Sequence, residues 1–342
     1  MRLRRILLFP FSKLYGLVVW IRNKGYDFGW FHSDRGALPT VIVGNISVGG
    51  TGKTPHTLWL AEQLRGLRPA ILSRGYGRTT RGYRHVHRSD SASDVGDEPL
   101  LYAKLLSGFP VRVCENRLHG IERIAEEATS GIVILDDALQ HRKLVGDFNL
   151  ALIHSERMPF EDDYLPGGLL RDHLIRLRQA DAILITHVSA QAFTHPPIRA
   201  KIERLKRTCH LPAHIPVYVS STTYGPIKRM GNTEEPYPKR IIALCGIARP
   251  DQFLSYLETQ FDVVERLIYS DHHPYSSRIV ADWASLLSTH SADALVTTEK
   301  DWMRIEGIAE ALDLPIYTLP LHVQVADGEL LIAAIHSRLN AR

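Results

Sequence analysis

Lys53 and Thr54, set behind Gly49, Gly50 and Gly52, have the types and order that suit phosphate and metal chemistry. They close the run TVIVGNISVGGTGKTP (residues 40–55), in which β-prone residues lead into a glycine-rich turn and then a helix-forming TLWLAEQL. A loop of this kind turns its backbone N–H groups inward on phosphate oxygens, while the lysine reaches the β/γ-phosphates and the threonine hydroxyl ligates Mg²⁺. The pattern G-x-x-x-x-G-K-[ST] asks for glycine where Ser47 stands, and Gly49 and Gly50 supply the permissive backbone instead. Ser47, Gly49, Gly50, Thr51, Gly52, Lys53 and Thr54 are therefore expected to hold a nucleoside triphosphate. A second signal lies about 80 residues on, where GIVILDD (131–137) ends an apolar run in Asp136 and Asp137. A buried strand that delivers a carboxylate to a nucleotide-bound metal looks like this. Thr54, Asp136 and Asp137 are thus the expected Mg²⁺ residues, with the choice between the two aspartates left open.

Further residues that could do chemistry follow predicted strands. Arg74-Gly-Tyr76-Gly-Arg78 follows one, Gln140-His141-Arg142 continues the Asp136-Asp137 loop, and Arg171-Asp172 ends LPGGLLRD. Asp97-Glu98 closes a polar, irregular stretch over 79–98, and Asp271-His272-His273 reads as a loop at a sheet edge. Thr298-Glu299-Lys300-Asp301 invites comparison with the guanine motif [NT]-K-x-D, but Lys300 directly abuts Asp301, so the spacing points to ATP rather than GTP.

These groups need elements to carry them. Strands expected at 40–43, 69–73, 111–113, 131–136, 148–153 and 182–186 alternate with helices. That pattern is a doubly wound α/β fold, a P-loop NTPase-type, mostly parallel sheet with helices on both faces. Helices near 100–106 and 116–129 belong to it. Around 188–239 the alternation loosens, with a basic helix at 198–207, a β-like 217–220 and a polar linker or hairpin at 224–239. A second, smaller α/β domain is expected from 241, with strands near 241–244, 262–268, 293–298 and 315–319 and helices near 251–260, 277–289 and 328–339. At 342 residues the chain can bury two such cores. Forty-one basic against 37 acidic residues give a net charge of only +4, too mild to argue for nucleic acid. Three scattered cysteines show no metal-ligand spacing and read as buried apolar groups in a reducing compartment. At the N-terminus, Arg2, Arg4 and Arg5 precede ILLFPFSKLYGLVVWI (6–21), which Pro10, Ser12 and Lys13 interrupt. This is a poor membrane span and a better helix for lying in a bilayer interface on a basic collar; the competing reading is a first helix packed into the core.

Seven runs occur in order over almost the whole chain: GNISVGGTGKTP, SRGYG, VGDEP, ILDDALQH, LPGGLLR, DHH and TEKD. With the amphipathic N-terminus they closely resemble the tetraacyldisaccharide 4′-kinase family, the lipid A 4′-kinases of Gram-negative bacteria. The resemblance implies ATP- and Mg²⁺-dependent phosphorylation of the 4′-hydroxyl of a tetraacylated glucosamine disaccharide 1-phosphate to give lipid IVA. By the same resemblance, Asp97 is the base, supported by His272. Arg74, Tyr76, Glu98, Arg117, Gln140, His141 and Arg171 are candidates for binding the acceptor or the nucleotide phosphates. Asp172 departs from the family pattern, which has Glu there. The implied organisation is an interfacial helix region at 1–31 within the first domain, a kinase domain at 32–214, a linker or β-ribbon at 215–240 and a smaller domain at 241–342. The implied partners are a membrane-embedded glycolipid and an anionic membrane surface, with no nucleic acid and no protein partner needed. The implied location is peripheral, at the cytoplasmic face of the inner membrane. The alternative class is a P-loop NTPase switch or metallochaperone; a small-molecule synthetase of the dethiobiotin-synthetase kind would leave residues 1–31 unexplained.

Overall fold

The computed structural model describes residues 2–193, 195–230 and 237–341, with side chains at the N-terminus described from Leu7 onward. Its larger sheet has nine strands in the spatial order Leu321–Val325, Val217–Tyr224, Ala182–Thr186, Phe148–His154, Thr40–Asn45, Ile132–Asp136, Pro69–Ser73, Val111–Val113 and Arg84–His85. Neighbours pair in parallel except at the two edges. The central strands are buried along their whole length, as continuous apolar runs covered on both faces must be. After Thr40–Asn45 the chain passes over the place of Ile132–Asp136 to build one side of the sheet. It later returns to build the other with Phe148–His154. The strand order reverses beside Thr40–Asn45, so a crevice opens beyond its carboxyl end, where the glycine-rich loop begins.

The smaller sheet has five strands in the order Lys228–Arg229, Ile316–Leu319, Ala294–Thr298, Arg240–Cys245 and Asp262–Ile268, all parallel but the first. Residues 241–342 do not all stay with it. Leu321–Val325 pairs antiparallel with Val217–Tyr224 at the edge of the larger sheet. The last helix, Gly328–Asn340, buries Leu331, Ile335 and Leu339, and Arg338 pairs with Asp181 at 3.4 Å just before the strand Ala182–Thr186. Within the segment expected as linker or β-ribbon at 215–240, Val217–Tyr224 pairs on one side with Ala182–Thr186 and on the other with 321–325, a second strand that a linker at 215–240 alone did not foresee. The reason lies in a period-two pattern: LHVQV alternates half-buried and exposed positions, as an edge strand does, and its partner lies about 100 residues away. Residues 231–236 of the expected linker lie outside the described residues.

Two local corrections bear on function. The helix expected near 100–106 starts earlier, at Asp97–Leu105, so Asp97 and Glu98 stand on its first turn rather than in a loop. Thr298-Glu299-Lys300-Asp301 opens a helix, Glu299–Ala311, whose N-cap is Thr298; its hydroxyl accepts from the Asp301 backbone N–H at 3.0 Å.

The first helix, Arg2–Asp27, is amphipathic with the usual sense reversed. Its polar side faces the protein: Ser12 and Asn23 are buried, Gly16 lies against the Tyr164 ring, and Asn23 Nδ2 donates to Asp172 Oδ1 at 2.7 Å. Its apolar side is bare, with Leu7, Phe11, Leu14, Val18 and Trp20 about half exposed or more and Trp30 just beyond at 72%. Among the described residues no helix is long and apolar enough to cross a membrane. The side chains of Arg2, Arg4 and Arg5 in the expected basic collar lie outside the described residues.

Candidate active site

The glycine-rich turn places Gly49, Gly50 and Gly52 at φ of 81°, 35° and 79°, which side-chain-bearing residues rarely adopt. Gly52 then caps the helix Lys53–Gln63, so free N–H groups and the positive end of the helix face the crevice. The loop is braced from beneath. Asn45 Nδ2 donates to Thr51 Oγ1 at 2.6 Å, Thr186 Oγ1 donates to the Thr51 carbonyl at 3.0 Å, and His56 bridges the Gly52 carbonyl and Ser220 Oγ. Burial holds His56 down to about 4, so this brace is neutral. Residues 48–54 line a cleft of about 920 Å³ between the two sheets. Ser47 does not: it bridges to Leu170 and lines a smaller cavity behind the loop.

Asp136 ends its strand fully buried, and neither carboxylate oxygen has a hydrogen-bond partner. Burial, then the charges of Glu98 and Asp137, push it up to about 7. Glu98 accepts from Thr54 Oγ1 at 3.3 Å, and Lys53 Nζ stands 3.7 Å from Asp137 Oδ2. Among the described residues no three His, Cys, Asp or Glu are arranged to cage a metal by themselves. Mg²⁺ does not need such a cage, because it takes one or two carboxylates and completes its shell with water and phosphate oxygens. An orphaned buried carboxylate with crowded acidic neighbours and a threonine hydroxyl at hand fits that ion. Asp137 differs: it follows the strand at φ 49°, lines the cleft, and its carboxylate is already paired with Arg171.

The third group assembles across the lobes. Gly96, at φ 96°, is the N-cap of the helix Asp97–Leu105, and the backbone of Gly75 and Tyr76 fills the space where a Cβ would stand. Asp97 is 5% exposed, and its Oδ2 lies 2.8 Å from His272 Nδ1, which the smaller lobe presents on a loop at φ 57°. Burial would raise the Asp97 carboxyl, but the His272 hydrogen bond and the charges of Lys300 and Arg304 hold it below the usual range. That same hydrogen bond lifts His272 above the ordinary imidazole value, against burial. The Tyr76 ring lies 5.3 Å from the His272 ring.

The seven residues expected to bind acceptor or phosphates all line this cleft. Arg74 and Tyr76 are exposed at its mouth, whereas Arg171 is committed to Asp137 and Asn45, and Gln140 Nε2 donates to the Asn45 carbonyl at 2.6 Å. Arg117 is buried and donates to the Cys114 carbonyl at 2.8 Å; burial lowers it to about 10. His141, lowered to about 4 by burial, keeps an unpartnered Nε2. His273 stacks on Tyr269 rather than joining Asp97. Asp172 is not a cleft residue: it is buried, accepting from Asn23 and from its neighbour's N–H, and it clamps the first helix. Sequence reasoning gave no site role to three cations, although it had singled out the stretch that holds Lys300. Arg22 of the first helix reaches the cleft and donates to the Gln140 carbonyl, and Lys300 and Arg304 approach Glu98 and Asp97. A Thr-x-x-Asp helix start at 298–301 was the available signal for the last two. The three cysteines are buried and free, as their spacing suggested.

A phosphate-cradling turn at the switch point of a parallel sheet, with a carboxylate delivered by the neighbouring strand, defines a P-loop protein with a kinase-type fold. The family model for tetraacyldisaccharide-1-P 4′-kinase, LpxK, matches residues 4–340. The tetraacyldisaccharide 4′-kinase of Cytophaga hutchinsonii is 34% identical over 344 residues, covering 98% of this chain and 96% of the relative. That of Chlorobaculum parvum is 35% identical over 315 residues, 87% and 84% of the two chains. A crystal structure of LpxK from Aquifex aeolicus, in complex with ATP, superposes with a TM-score of 0.76 at 29% identity over 98% of this chain and 99% of the other. The chain belongs to the tetraacyldisaccharide 4′-kinase family and is a kinase.

Proposed function

We propose that the chain transfers the γ-phosphoryl group of ATP to the 4′-hydroxyl of tetraacyldisaccharide 1-phosphate, forming lipid IVA in lipid A biosynthesis. The observation that carries this reading is the Asp97–His272 pair, closed at 2.8 Å across the two lobes at the mouth of the phosphate cradle. Phosphoryl transfer asks the protein mainly to place and neutralise charge. Lys53 and the amides of 48–54 hold the phosphates, while Thr54 and Asp136, with Asp137 and Glu98 beside them, would hold Mg²⁺. That ion, when bound, neutralises the β/γ-oxygens. A sugar hydroxyl is a poor nucleophile while it keeps its proton. As the acceptor oxygen bonds to the γ-phosphorus and the bond to ADP breaks, the Asp97–His272 pair takes that proton. Arg74 and Tyr76 at the cleft mouth, with Arg117, Gln140, His141 and Arg171 deeper, receive the acceptor's sugar and 1-phosphate or the nucleotide phosphates.

The two lobes act as the walls of the site, the smaller one bringing His272 to Asp97. The bare apolar face of the first helix lies in the membrane interface at the cytoplasmic face of the inner membrane, where the acylated acceptor resides. Arg22 joins that helix directly to the cleft. A switch or metallochaperone would hydrolyse nucleotide without any acceptor.

The test is transfer of radiolabelled γ-phosphate from ATP to tetraacyldisaccharide 1-phosphate in mixed micelles. Label is expected in the lipid, lost in Lys53→Ala and reduced at least ~10²-fold in Asp97→Ala, which still binds ATP. Hydrolysis of ATP with no label in the lipid would sink the proposal in favour of the switch.

A further inference from the structure

Lys300 stands at the centre of the lobe junction. It lies on the first turn of Glu299–Ala311, and its ammonium is largely buried between groups of both lobes. Nζ donates to Glu98 Oε1 at 3.1 Å, lies 3.2 Å from His272 Nε2, and is 3.7 Å from Asp271 Oδ1. Glu98 Oε1 also accepts from Thr54 Oγ1. One line of contacts therefore runs from the phosphate cradle through Glu98 and Lys300 to His272 and Asp97.

An ammonium has three donors and no acceptor, so the nitrogen it meets on His272 must accept. Nε2 then carries no proton, and the imidazole proton sits on Nδ1, where it donates to Asp97. We propose that Lys300 is a positioning residue that holds His272 as the neutral Nδ1–H imidazole against Asp97 and ties that ring to the phosphate cradle through Glu98. The proposal rests on the reading of Asp97 and His272 as the proton-accepting pair. Burial works against the ammonium, but Glu98, Asp97 and Asp271 more than offset it and Lys300 stays charged. The groups facing His272 are Asp97, Lys300, Asp271 and the Tyr76 ring, with Arg304 3.7 Å from Asp97 behind them. Within that set Lys300 opposes the imidazolium, as a like charge beside it must. A lysine that merely docked the lobes would need its carboxylate partners but not the contact with Nε2.

The experiment uses the full chain with MgATP and tetraacyldisaccharide 1-phosphate in mixed micelles, comparing Lys300→Met, Lys300→Arg, His272→Gln and the Lys300→Met/His272→Gln double variant. Lys300→Met is expected to lower kcat about 10²-fold while the KM for ATP moves less than about threefold. Its acid limb should move to higher pH, since the cation no longer opposes protonation of His272. In the His272→Gln background the same substitution should cost less than about threefold more, because its route of action is already gone. Lys300→Arg keeps the charge and the fold, and should fall about tenfold with its acid limb in place, since a planar fork cannot sit where a compact ammonium does. Equal losses from Lys300→Met in both backgrounds, or an unmoved acid limb, would overturn the proposal. So would wild-type kcat in Lys300→Arg, which decides the matter even where Lys300→Met does not fold. Full activity in His272→Gln would instead bring down the reading of the proton-accepting pair itself. Activity lost in His272→Gln but untouched by Lys300→Met would remove only the role of Lys300.

Discussion

At the scale of single residues, the site is a set of charges that cannot be satisfied by one lobe. Asp97 is held below the usual carboxylate range and His272 above the usual imidazole value, and each owes its shift largely to the other. The signs lead to opposite pH trends. A raised imidazole value means that the stability contributed by protonated His272 is fully present below about 6.5, the unfolded value, and fades as pH rises through the native value. The share of the depressed Asp97 carboxyl is lost only as pH falls through its own native value. If the pair takes the acceptor's proton as proposed, that step runs the other way from the His272 share, because the neutral ring appears only as pH rises through the imidazole's native value. The acid limb of kcat and the fall in melting temperature should therefore occupy one window above 6.5 and slope in opposite directions. His272→Gln should abolish both slopes together and lower kcat about 10²-fold; retention of the stability slope in that variant would assign it to another group.

At the scale of elements, function depends on where helices begin. Three helix starts converge on the cleft: Lys53 after Gly52, Asp97 after Gly96, and Glu299 after Thr298. Gly96 is the most constrained of their caps. A Cβ there would stand 3.1 Å from the Gly75 Cα and the Tyr76 carbonyl, at a φ that disfavours any side chain. Gly96→Ala is expected to cost about 1–3 kcal/mol of stability and to displace Asp97 from His272. Chemical denaturation together with kcat checks it, and the loss of kcat should exceed any loss of ATP affinity. The sequence placed the Lys53 start correctly because glycine-rich turns have a written signature. It put the Asp97 start late, near 100, and expected no helix at 299–311, since Val95-Gly96-Asp97-Glu98-Pro99 reads as polar loop and Thr298-Glu299-Lys300-Asp301 as a strand end until the packing partner is known.

At the scale of the whole molecule, the first helix offers a bare apolar face while its polar face is used up in holding it. Asn23, Asp172 and the Arg142 contact with the Asn23 carbonyl form that hold. Replacing Leu14, Leu17 and Val18 by serine touches only exposed positions, so folding and ATP binding should persist. Sedimentation with vesicles containing anionic lipid should fall at least about tenfold, given roughly 0.8 kcal/mol for each buried methylene removed from the interface. Undiminished vesicle binding would mean that this face serves another purpose.

The sequence by itself determined the doubly wound sheet, the phosphate cradle, the strand-borne Asp136 and the family, because each is written in short runs whose chemistry is local. Alternation of buried strands and helices needs only nearest neighbours to be read, and a glycine-lysine-threonine turn needs only its own backbone. What the tertiary structure decided is which distant groups meet. Asp97 and His272 are 175 positions apart, Lys300 reaches Glu98 over 202, and the strand 321–325 leaves its own lobe to close the sheet of the other. No local propensity encodes those meetings. They follow from packing two lobes around one cleft, where each buried charge must find its partner on the other side.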